Sequence, residues 1–190
     1  MQKGLQTEMA KVKHIYQTDI DRINAEKEVI YRYGALFRPQ NIDNLTAEEF
    51  KSFLSSKNNK HWKNIQRQGN RIISDMDKLK STLKLLLDES KPIKDRLDEI
   101  RPKNKKPMVD GLGPAVLTAI LLVVYPEKYC VYNGIVERGM KHFGIFPNFK
   151  GESFGEKYTK INEIINSLAK QYGLTLWQID EVWDAAIKIR

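Results

Sequence analysis

The strongest structural signal in the chain is the segment Val109-Asp-Gly-Leu-Gly-Pro-Ala-Val-Leu-Thr-Ala-Ile-Leu-Leu-Val-Val124. It opens with two glycines, Gly111 and Gly113, on either side of Leu112, and it continues as an apolar run typical of a buried helix. Leu112 is predicted to plug the turn into the core. Because glycine has no Cβ, such a turn at a helix N-terminus can bring backbone N–H groups against a phosphate. A tight turn between two helices without any ligand is the alternative interpretation.

Length and composition indicate a folded domain with anionic partners. The chain has 190 residues, which suits one domain or one domain with an N-terminal extension. Hydrophobic residues make up 41% of it, enough to fill a core, and the formal net charge of +8 favours nucleic acid or another anion as partner. A single cysteine, Cys130, excludes an internal disulfide and a cysteine-based zinc cluster. No metal and no other cofactor are predicted.

Neither a secretory leader nor a membrane span is expected from the sequence. The first residues, Met1-Gln-Lys-Gly-Leu-Gln-Thr-Glu8, lack the apolar centre of a secretory signal. The longest apolar run, residues 115–125, is too short to cross a bilayer. We therefore expect a cytoplasmic protein that does not associate with membranes.

Apolar residues recur at three- and four-residue spacing almost throughout the chain, and no segment alternates as a half-exposed strand does. The predicted fold class is all-α, with a multi-helix domain at residues 45–190. Residues 1–38 are predicted to form one long amphipathic helix, which Pro39 ends. The length and mixed charge of this helix favour packing on a protein partner or on a second copy of the chain.

Short polar motifs mark the ends of several predicted helices. A Ser or Thr followed three residues later by Glu or Gln forms a capping box, in which the two residues satisfy each other's backbone N–H groups. Such boxes occur at Thr46–Glu49, Ser153–Glu156 and Thr175–Gln178. Further helices are predicted to begin near Ser74 and Pro92, and one is predicted to end at Gly173.

Two stretches that lack acidic residues concentrate positive charge. In residues 51–74, cations alternate with amides and an aromatic ring, which suits phosphate contacts combined with base stacking. The candidate nucleic-acid-binding residues there are Lys60, His61, Trp62, Lys63, Arg67 and Arg71. Alternatively, Trp62 and Ile65 anchor the core and the cations form a solvated face.

The second basic stretch, residues 101–107, immediately precedes the Gly-Leu-Gly turn. Its lysines, Lys103, Lys105 and Lys106, would add to phosphate binding an electrostatic contribution that falls with salt. Two prolines and several cations are equally typical of an ordinary exposed loop, which is the alternative.

Residues 109–144 resemble the hairpin and following helix of the helix-hairpin-helix DNA glycosylases, the endonuclease III-like superfamily. The resemblance is carried by Gly111-Leu112-Gly113, by the apolar helix from Ala115 to Val124, and by Pro126 in the next loop. It continues with Val131-Tyr132-Asn133 at the start of a further helix, which ends near Phe143-Gly144. The resemblance implies a helix-hairpin-helix motif, a glycosylase-like scaffold and DNA as partner, with Gly111, Leu112 and Gly113 at the phosphate.

Two positions depart from the pattern of that superfamily. Its bifunctional members carry a lysine, which forms a Schiff base, where this chain has Ala115. Its catalytic aspartate falls at Asn133, and a neutral amide cannot accept a proton from water as a carboxylate does. Asn133 is therefore the candidate at the catalytic place, with helix capping as the alternative role. Asp110 and Glu137 are the two carboxylates that could replace the lost one.

The chain from Leu45 to Trp183 also resembles an uncharacterised domain that occurs beside restriction-type modules in prokaryotic proteins. The shared features include Asn58-Asn-Lys-His-Trp62, Leu86-Leu-Asp-Glu-Ser90 and a late Leu-Trp helix. In that domain, asparagine at the place of Asn133 is ordinary. This resemblance covers more of the chain but implies no activity.

The interpretation that fits these features best is a DNA-binding helix-hairpin-helix protein without the usual excision chemistry, in DNA repair or in restriction and defence. One alternative is an active monofunctional glycosylase, which would flip a base out of the duplex to excise it. A second alternative is a non-enzymatic adaptor subunit whose N-terminal helix docks other defence proteins.

Overall fold

The computed structural model of the protein describes residues 2–58, 62 and 65–188. Helices and irregular segments account for all of these residues, and none of them forms a strand, so the predicted all-α fold class is confirmed. None of the described helices combines the length and the apolar character that a membrane crossing needs. The α-helices are α1 (Gln2–Thr18), α2 (Ile20–Leu36), α3 (Ala47–Leu54), α4 (Gly69–Ile72), α5 (Met76–Leu87), α6 (Ile93–Ile100), α7 (Pro114–Val124), α8 (Gly134–His142), α9 (Phe154–Tyr172) and α10 (Leu176–Lys188), with 3₁₀ turns at Pro39–Asn44 and Ile65–Gln68.

Helix α7 is buried along most of its length, and it corresponds to the apolar part of residues 109–124. Every side chain from Val116 to Val123 is buried, as expected for a helix that is apolar on all sides. Helix α2 packs against it. The two helices approach so closely that a Cβ added to Gly34 would lie 2.5 Å from the carbonyl oxygen of Val123. Only glycine fits there without a backbone shift.

The other helices pack in pairs around this centre. Helix α10 packs on α8 and on α1, and α6 packs on α9. Buried side chains from both ends of the chain, such as Met9 and Trp183, belong to the same hydrophobic core. The division between an N-terminal segment, residues 1–38, and a domain at residues 45–190 stays a prediction. Side chains from both segments belong to one hydrophobic core.

The N-terminal segment differs from the single helix predicted for residues 1–38. It consists of two helices, because Asp19 adopts an extended conformation and its carboxylate accepts the N–H of Arg22 at 3.1 Å, which caps a new helix. Helix α1 packs on α10, whereas α2 packs on α7. The break therefore lets one amphipathic stretch cover two different parts of the core.

The predicted helix ends agree well with the structure. The capping boxes Thr46–Glu49 and Ser153–Glu156 are both complete. Thr175 and Gln178 exchange the corresponding hydrogen bonds at 3.2 Å. Gly173 ends α9 in the left-handed conformation, with φ of +65°. Helix α5 begins at Met76, two residues after Ser74, because Asp75 is its N-cap.

A polar cluster is buried where α5 ends. The guanidinium of Arg96, 1% exposed, donates to the carbonyl of Leu86 at 2.7 Å and to the hydroxyl of Tyr129 at 2.6 Å, and it pairs with the Glu89 carboxylate at 2.8 Å. Lys128 contacts the same carboxylate. This cluster joins α5, α6 and the loop after α7.

Cys130 lies in that loop and is fully enclosed. Its side chain is 1% exposed, and burial raises the pKa of its thiol far above the usual range. The backbone on both sides is fixed, since the Cys130 N–H donates to Asn162 and its carbonyl accepts the hydroxyl of Tyr158, each at 2.8 Å.

Candidate nucleic-acid interface

Two local backbone hydrogen bonds shape the Gly-Leu-Gly turn, which leads directly into α7. The N–H of Leu112 donates to the carbonyl of Val109 at 3.3 Å, and the N–H of Gly113 donates to the carbonyl of Gly111 at 2.9 Å. Gly111 has φ of +80°, a conformation that favours glycine. The side chain of Leu112 is fully buried, which confirms that it plugs the turn into the core.

The two glycines face different surroundings. A Cβ at Gly111 would lie 3.2 Å from the Cβ of Gln68 and 3.3 Å from Ile72, because the segment that contains α4 crosses over the turn. A Cβ at Gly113 would meet only the carbonyl oxygen of Gly111, at 4.0 Å. The expectation that both glycines offer a free N–H needs correction at Gly113, whose N–H is used inside the turn. Gly113 instead leaves open space in front of the first turn of α7.

Arg101 joins the basic stretch to the turn. It is half-buried, and its guanidinium donates to the carbonyl of Leu112 at 3.0 Å. Burial lowers the pKa of this guanidinium, which nevertheless stays protonated at any physiological pH. The N–H of Met108 returns to the carbonyl of Ile100 at 2.9 Å and closes residues 101–107 into a loop. The basic stretch is thus a closed loop fixed beside the turn.

The lysines of this loop are exposed, and one of them is tethered. Lys103, Lys105 and Lys106 all lie at the surface, which fits both phosphate binding and an ordinary exposed loop. The ammonium of Lys103 contacts the carbonyl of Gly151, in the segment that leads into α9.

A first cleft, which we call the turn cleft, opens over the two glycines. Its volume is about 310 Å³, and its lining is polar. Arg71 and Asp110 form an ion pair in its lining, with the Arg71 Nε 3.5 Å from a carboxylate oxygen. The cleft is lined by Gln68, Arg71, Arg101, Pro107, Asp110, Gly111 and Gly113.

A second cleft, which we call the aromatic cleft, adjoins the first and shares Arg101 and Pro107 with it. Its volume is about 430 Å³. Cations line it together with two aromatic rings and one carboxylate. The lining residues that matter below are Arg101, Lys103, Lys105, Tyr132, Glu152, Phe154 and Lys157.

Only part of the first basic stretch can be placed at these clefts. Lys60, His61 and Lys63 lie outside the described residues. Arg71 lines the turn cleft, and Arg67 is exposed in the 3₁₀ turn that precedes α4.

Trp62 does not offer a ring for base stacking, in contrast to the prediction. It is 5% exposed, and its indole N–H donates to the carboxylate of Asp180 at 3.1 Å. Its ring packs against Phe53 and Trp177, with centroids 6.0 and 5.2 Å apart. The alternative stated for Trp62 is therefore the correct one, because the ring anchors the core.

Asn133 caps α8. Its side-chain oxygen accepts the backbone N–H of Ile135 at 2.8 Å and that of Val136 at 3.0 Å. It is not among the residues that line either cleft. The capping role is therefore observed, and the amide oxygen is fully engaged by it.

The two replacement carboxylates differ in their surroundings. Asp110 is largely exposed at the turn cleft and pairs with Arg71. Glu137 accepts the hydroxyl of Tyr132 at 3.2 Å and also binds Lys141, whose hydrogen bond lowers the pKa of Glu137. Glu137 is thus a fully ionised carboxylate that two side chains hold in place, which makes it a weak base.

Tyr132, Phe154 and Lys157 were missed by reasoning from the sequence. Tyr132 stands beside Asn133, and burial together with the charge of Glu137 raises its pKa to about 12, so its hydroxyl keeps its proton. Phe154 and Lys157 belong to the first turn of α9, where the capping box was the only signal. The spatial approach of that turn to the basic loop has no signature in the local sequence.

No protein-family model matches this chain, and neither does any curated protein or solved structure. Its two resemblances therefore rest on the motifs quoted above.

Proposed function

We propose that this protein binds duplex DNA through the turn cleft and the neighbouring cations of the basic loop and of the first turn of α9. The observation that carries the proposal is the positive charge around the open surface at Gly113. Five cations line the two adjoining clefts, namely Arg71, Arg101, Lys103, Lys105 and Lys157. The carboxylates that line them are Asp110 and Glu152.

The charges of these carboxylates are already matched. Asp110 pairs with Arg71, and Glu152 pairs with Lys160 at 3.4 Å. Arg101, Lys105 and Lys157 therefore leave an excess of positive charge at the clefts. Such an excess attracts the phosphate backbone by releasing its condensed counterions, and the resulting affinity falls steeply with salt.

The geometry of the turn supports contact with a backbone phosphate. The missing side chain at Gly113 allows close approach to the first turn of α7, where the helix dipole favours an anion. The resemblance to helix-hairpin-helix glycosylases supports DNA as the specific partner. Base excision is not part of the proposal, because the amide of Asn133 cannot act as a base and is engaged in capping.

Fluorescence anisotropy with a labelled duplex at several salt concentrations tests the proposal. We expect micromolar or tighter binding, with a logarithmic salt slope of about −0.9 for each phosphate contacted. The same titration with duplex RNA of equal sequence is expected to give weaker binding.

A matched pair of variants locates the interface. Lys157→Glu and Lys170→Glu make the same charge change on the same helix, about 20 Å apart along its axis. Lys157→Glu is expected to weaken binding several-fold and to flatten the salt slope, whereas Lys170→Glu retains both. Equal losses in the two variants would indicate that net charge alone drives binding.

Absence of binding at low salt would contradict the proposal and would favour the adaptor alternative. Electrophoresis of the same samples after incubation tests the glycosylase alternative, since base loss makes the strand cleavable by alkali.

A further inference from the structure

The aromatic cleft contains a rigid pair of rings. Tyr132 and Phe154 lie nearly parallel, with an interplanar angle of 22° and centroids 6.4 Å apart. Tyr132 is held at both ends, because its backbone N–H donates to the Thr118 hydroxyl at 2.9 Å and its own hydroxyl donates to Glu137. Phe154 also packs on the buried ring of Tyr158. Rings fixed in this way lose little freedom when a planar group stacks on them.

The cations of the cleft lie beside these rings. Lys103, Lys105 and Lys157 line the same space as Tyr132 and Phe154. The N-terminus of α9 does not add an anion site, because the carboxylate of Asp98 already accepts the N–H of Gly155 at 2.8 Å. An anion in this cleft would therefore be held by lysine side chains.

The two clefts differ in the groups that they offer. The turn cleft has polar side chains and backbone but no aromatic ring among its described lining residues. The aromatic cleft offers rings and cations together, in a volume of about 430 Å³ that lies within the range of small-ligand sites. Rings that stack on a base and cations that follow the backbone are the combination used to bind single-stranded nucleic acid.

We propose that the aromatic cleft binds one unpaired nucleotide, with its base against the Tyr132–Phe154 wall and its phosphate among Lys103, Lys105 and Lys157. This inference rests on the proposed function, since the duplex in the adjoining turn cleft would deliver that nucleotide. The preferred ligand is then a duplex with a single-stranded extension.

Anisotropy with three versions of one labelled DNA tests the inference: a blunt duplex, the same duplex with a short overhang, and the overhang strand alone. Stacking of one base is worth ~1–3 kcal/mol, so the overhang is expected to bind on the order of tenfold more tightly than the blunt duplex. With 2-aminopurine as the first unpaired base, we expect its fluorescence to fall on binding. The same label inside the duplex is expected to show no change.

Two phenylalanine variants form a matched pair. Phe154→Leu removes a ring of the wall and is expected to abolish the preference for the overhang. Phe146→Leu makes the same change at a half-buried ring that packs on Phe149, outside the lining of the cleft, and is expected to retain the preference. If Phe154→Leu does not fold, the 2-aminopurine signal of the unaltered protein still tests whether an unpaired base stacks on the protein.

The outcomes separate this inference from the proposed function. Equal binding of blunt and overhanging duplexes, with no change in 2-aminopurine fluorescence, would overturn the inference and leave duplex binding intact. Failure to bind any of the three DNAs would overturn both. Free deoxyadenosine monophosphate can be added as a competitor. If it lowers the affinity for the overhanging duplex to that for the blunt duplex, the site also accepts a free nucleotide.

Discussion

At the scale of single residues, Gly111 and Gly113 are glycines for different reasons, and one substitution tested at both positions shows this. Gly111→Ser places a side chain at positive φ against Gln68 and Ile72. We therefore expect it to lower the free energy of unfolding by about 1–2 kcal/mol. Gly113→Ser adds a good capping residue in open space and is expected to change that free energy by only a few tenths of a kcal/mol. Urea denaturation followed by circular dichroism measures both.

The same variants test the proposed DNA interface. Gly113→Ser fills part of the turn cleft without destabilising the fold, so its binding to duplex DNA is expected to weaken. A Gly113→Ser protein that binds as tightly as the parent would show that the turn has only a structural role. Equal destabilisation by both substitutions would contradict the conclusion that Gly111 is closely packed and Gly113 faces open space.

Asn133 is expected to matter for stability and not for excision. Asn133→Ala leaves two N–H groups of α8 without their acceptor and is expected to cost about 1 kcal/mol. Asn133→Asp keeps the cap, so we expect the free energy of unfolding at pH 7 to change little. Thermal denaturation of the two variants measures the difference.

Excision assays on uracil and on oxidised or alkylated bases complete this prediction. The unaltered protein is expected to release none of them, because loss of the catalytic base removes ~10²–10⁴-fold of rate. Rapid release by the unaltered protein would contradict this, and alanine at Asp110 and at Glu137 would then identify the acting carboxylate.

At the scale of helices and loops, the cluster around Glu89 predicts a stability that depends on pH. Burial opposes the charged form of Glu89, but hydrogen bonds from Lys128 and Tyr129 and the charge of Arg96 outweigh it and lower its pKa. A carboxyl whose pKa is lower in the folded state stabilises the fold above its unfolded pKa, near 4.5. That stabilisation is lost as the pH falls through the folded pKa.

Glu89→Gln is the variant that tests this contribution. At pH 7 it is expected to lower the free energy of unfolding by about 2 kcal/mol, because Arg96 keeps a buried charge with a weaker partner. Chemical denaturation between pH 7 and pH 3 should show the gap to the parent closing below pH 4.5. A gap that stays constant over that range would mean that Glu89 acts through packing alone.

Elements whose signals are local could be predicted from the sequence. The boxes at Thr46 and Ser153, the C-cap at Gly173 and the plug at Leu112 each depend on a few adjacent residues. The break at Asp19 was missed because the apolar spacing continues across it, and aspartate inside such a pattern also fits an exposed helix face. The candidate site was found only in part, since Tyr132 and Phe154 meet through packing between distant segments.

At the scale of the whole molecule, the first helix is tied to the last by a polar contact. The hydroxyl of Tyr16 donates to Glu181 at 2.6 Å and accepts the indole N–H of Trp177 at 3.0 Å. The apolar pattern of residues 1–38 predicted one buried face, which we expected a protein partner or a second copy of the chain to cover. In the structure, α10 covers α1.

A tyrosine pair tests whether α1 contributes to the stability of the whole molecule. Tyr16→Phe removes a buried hydroxyl from two hydrogen bonds and is expected to lower the free energy of unfolding by about 1–3 kcal/mol. Tyr31→Phe makes the same change at a side chain that is 80% exposed and should be neutral. We expect one cooperative transition in each case, measured by calorimetry. Early melting of α1 alone, detected as a separate transition, would contradict this.

The enclosure of Cys130 makes the protein well suited to site-specific labelling. Because its thiol is protonated and shielded from solvent, we expect maleimide reagents not to react with it. Cys130 therefore does not have to be replaced before labelling. A cysteine introduced in place of exposed Lys106 would then carry a fluorophore or a spin label alone. Such a label on the basic loop would report directly on the arrival of a ligand at the neighbouring clefts.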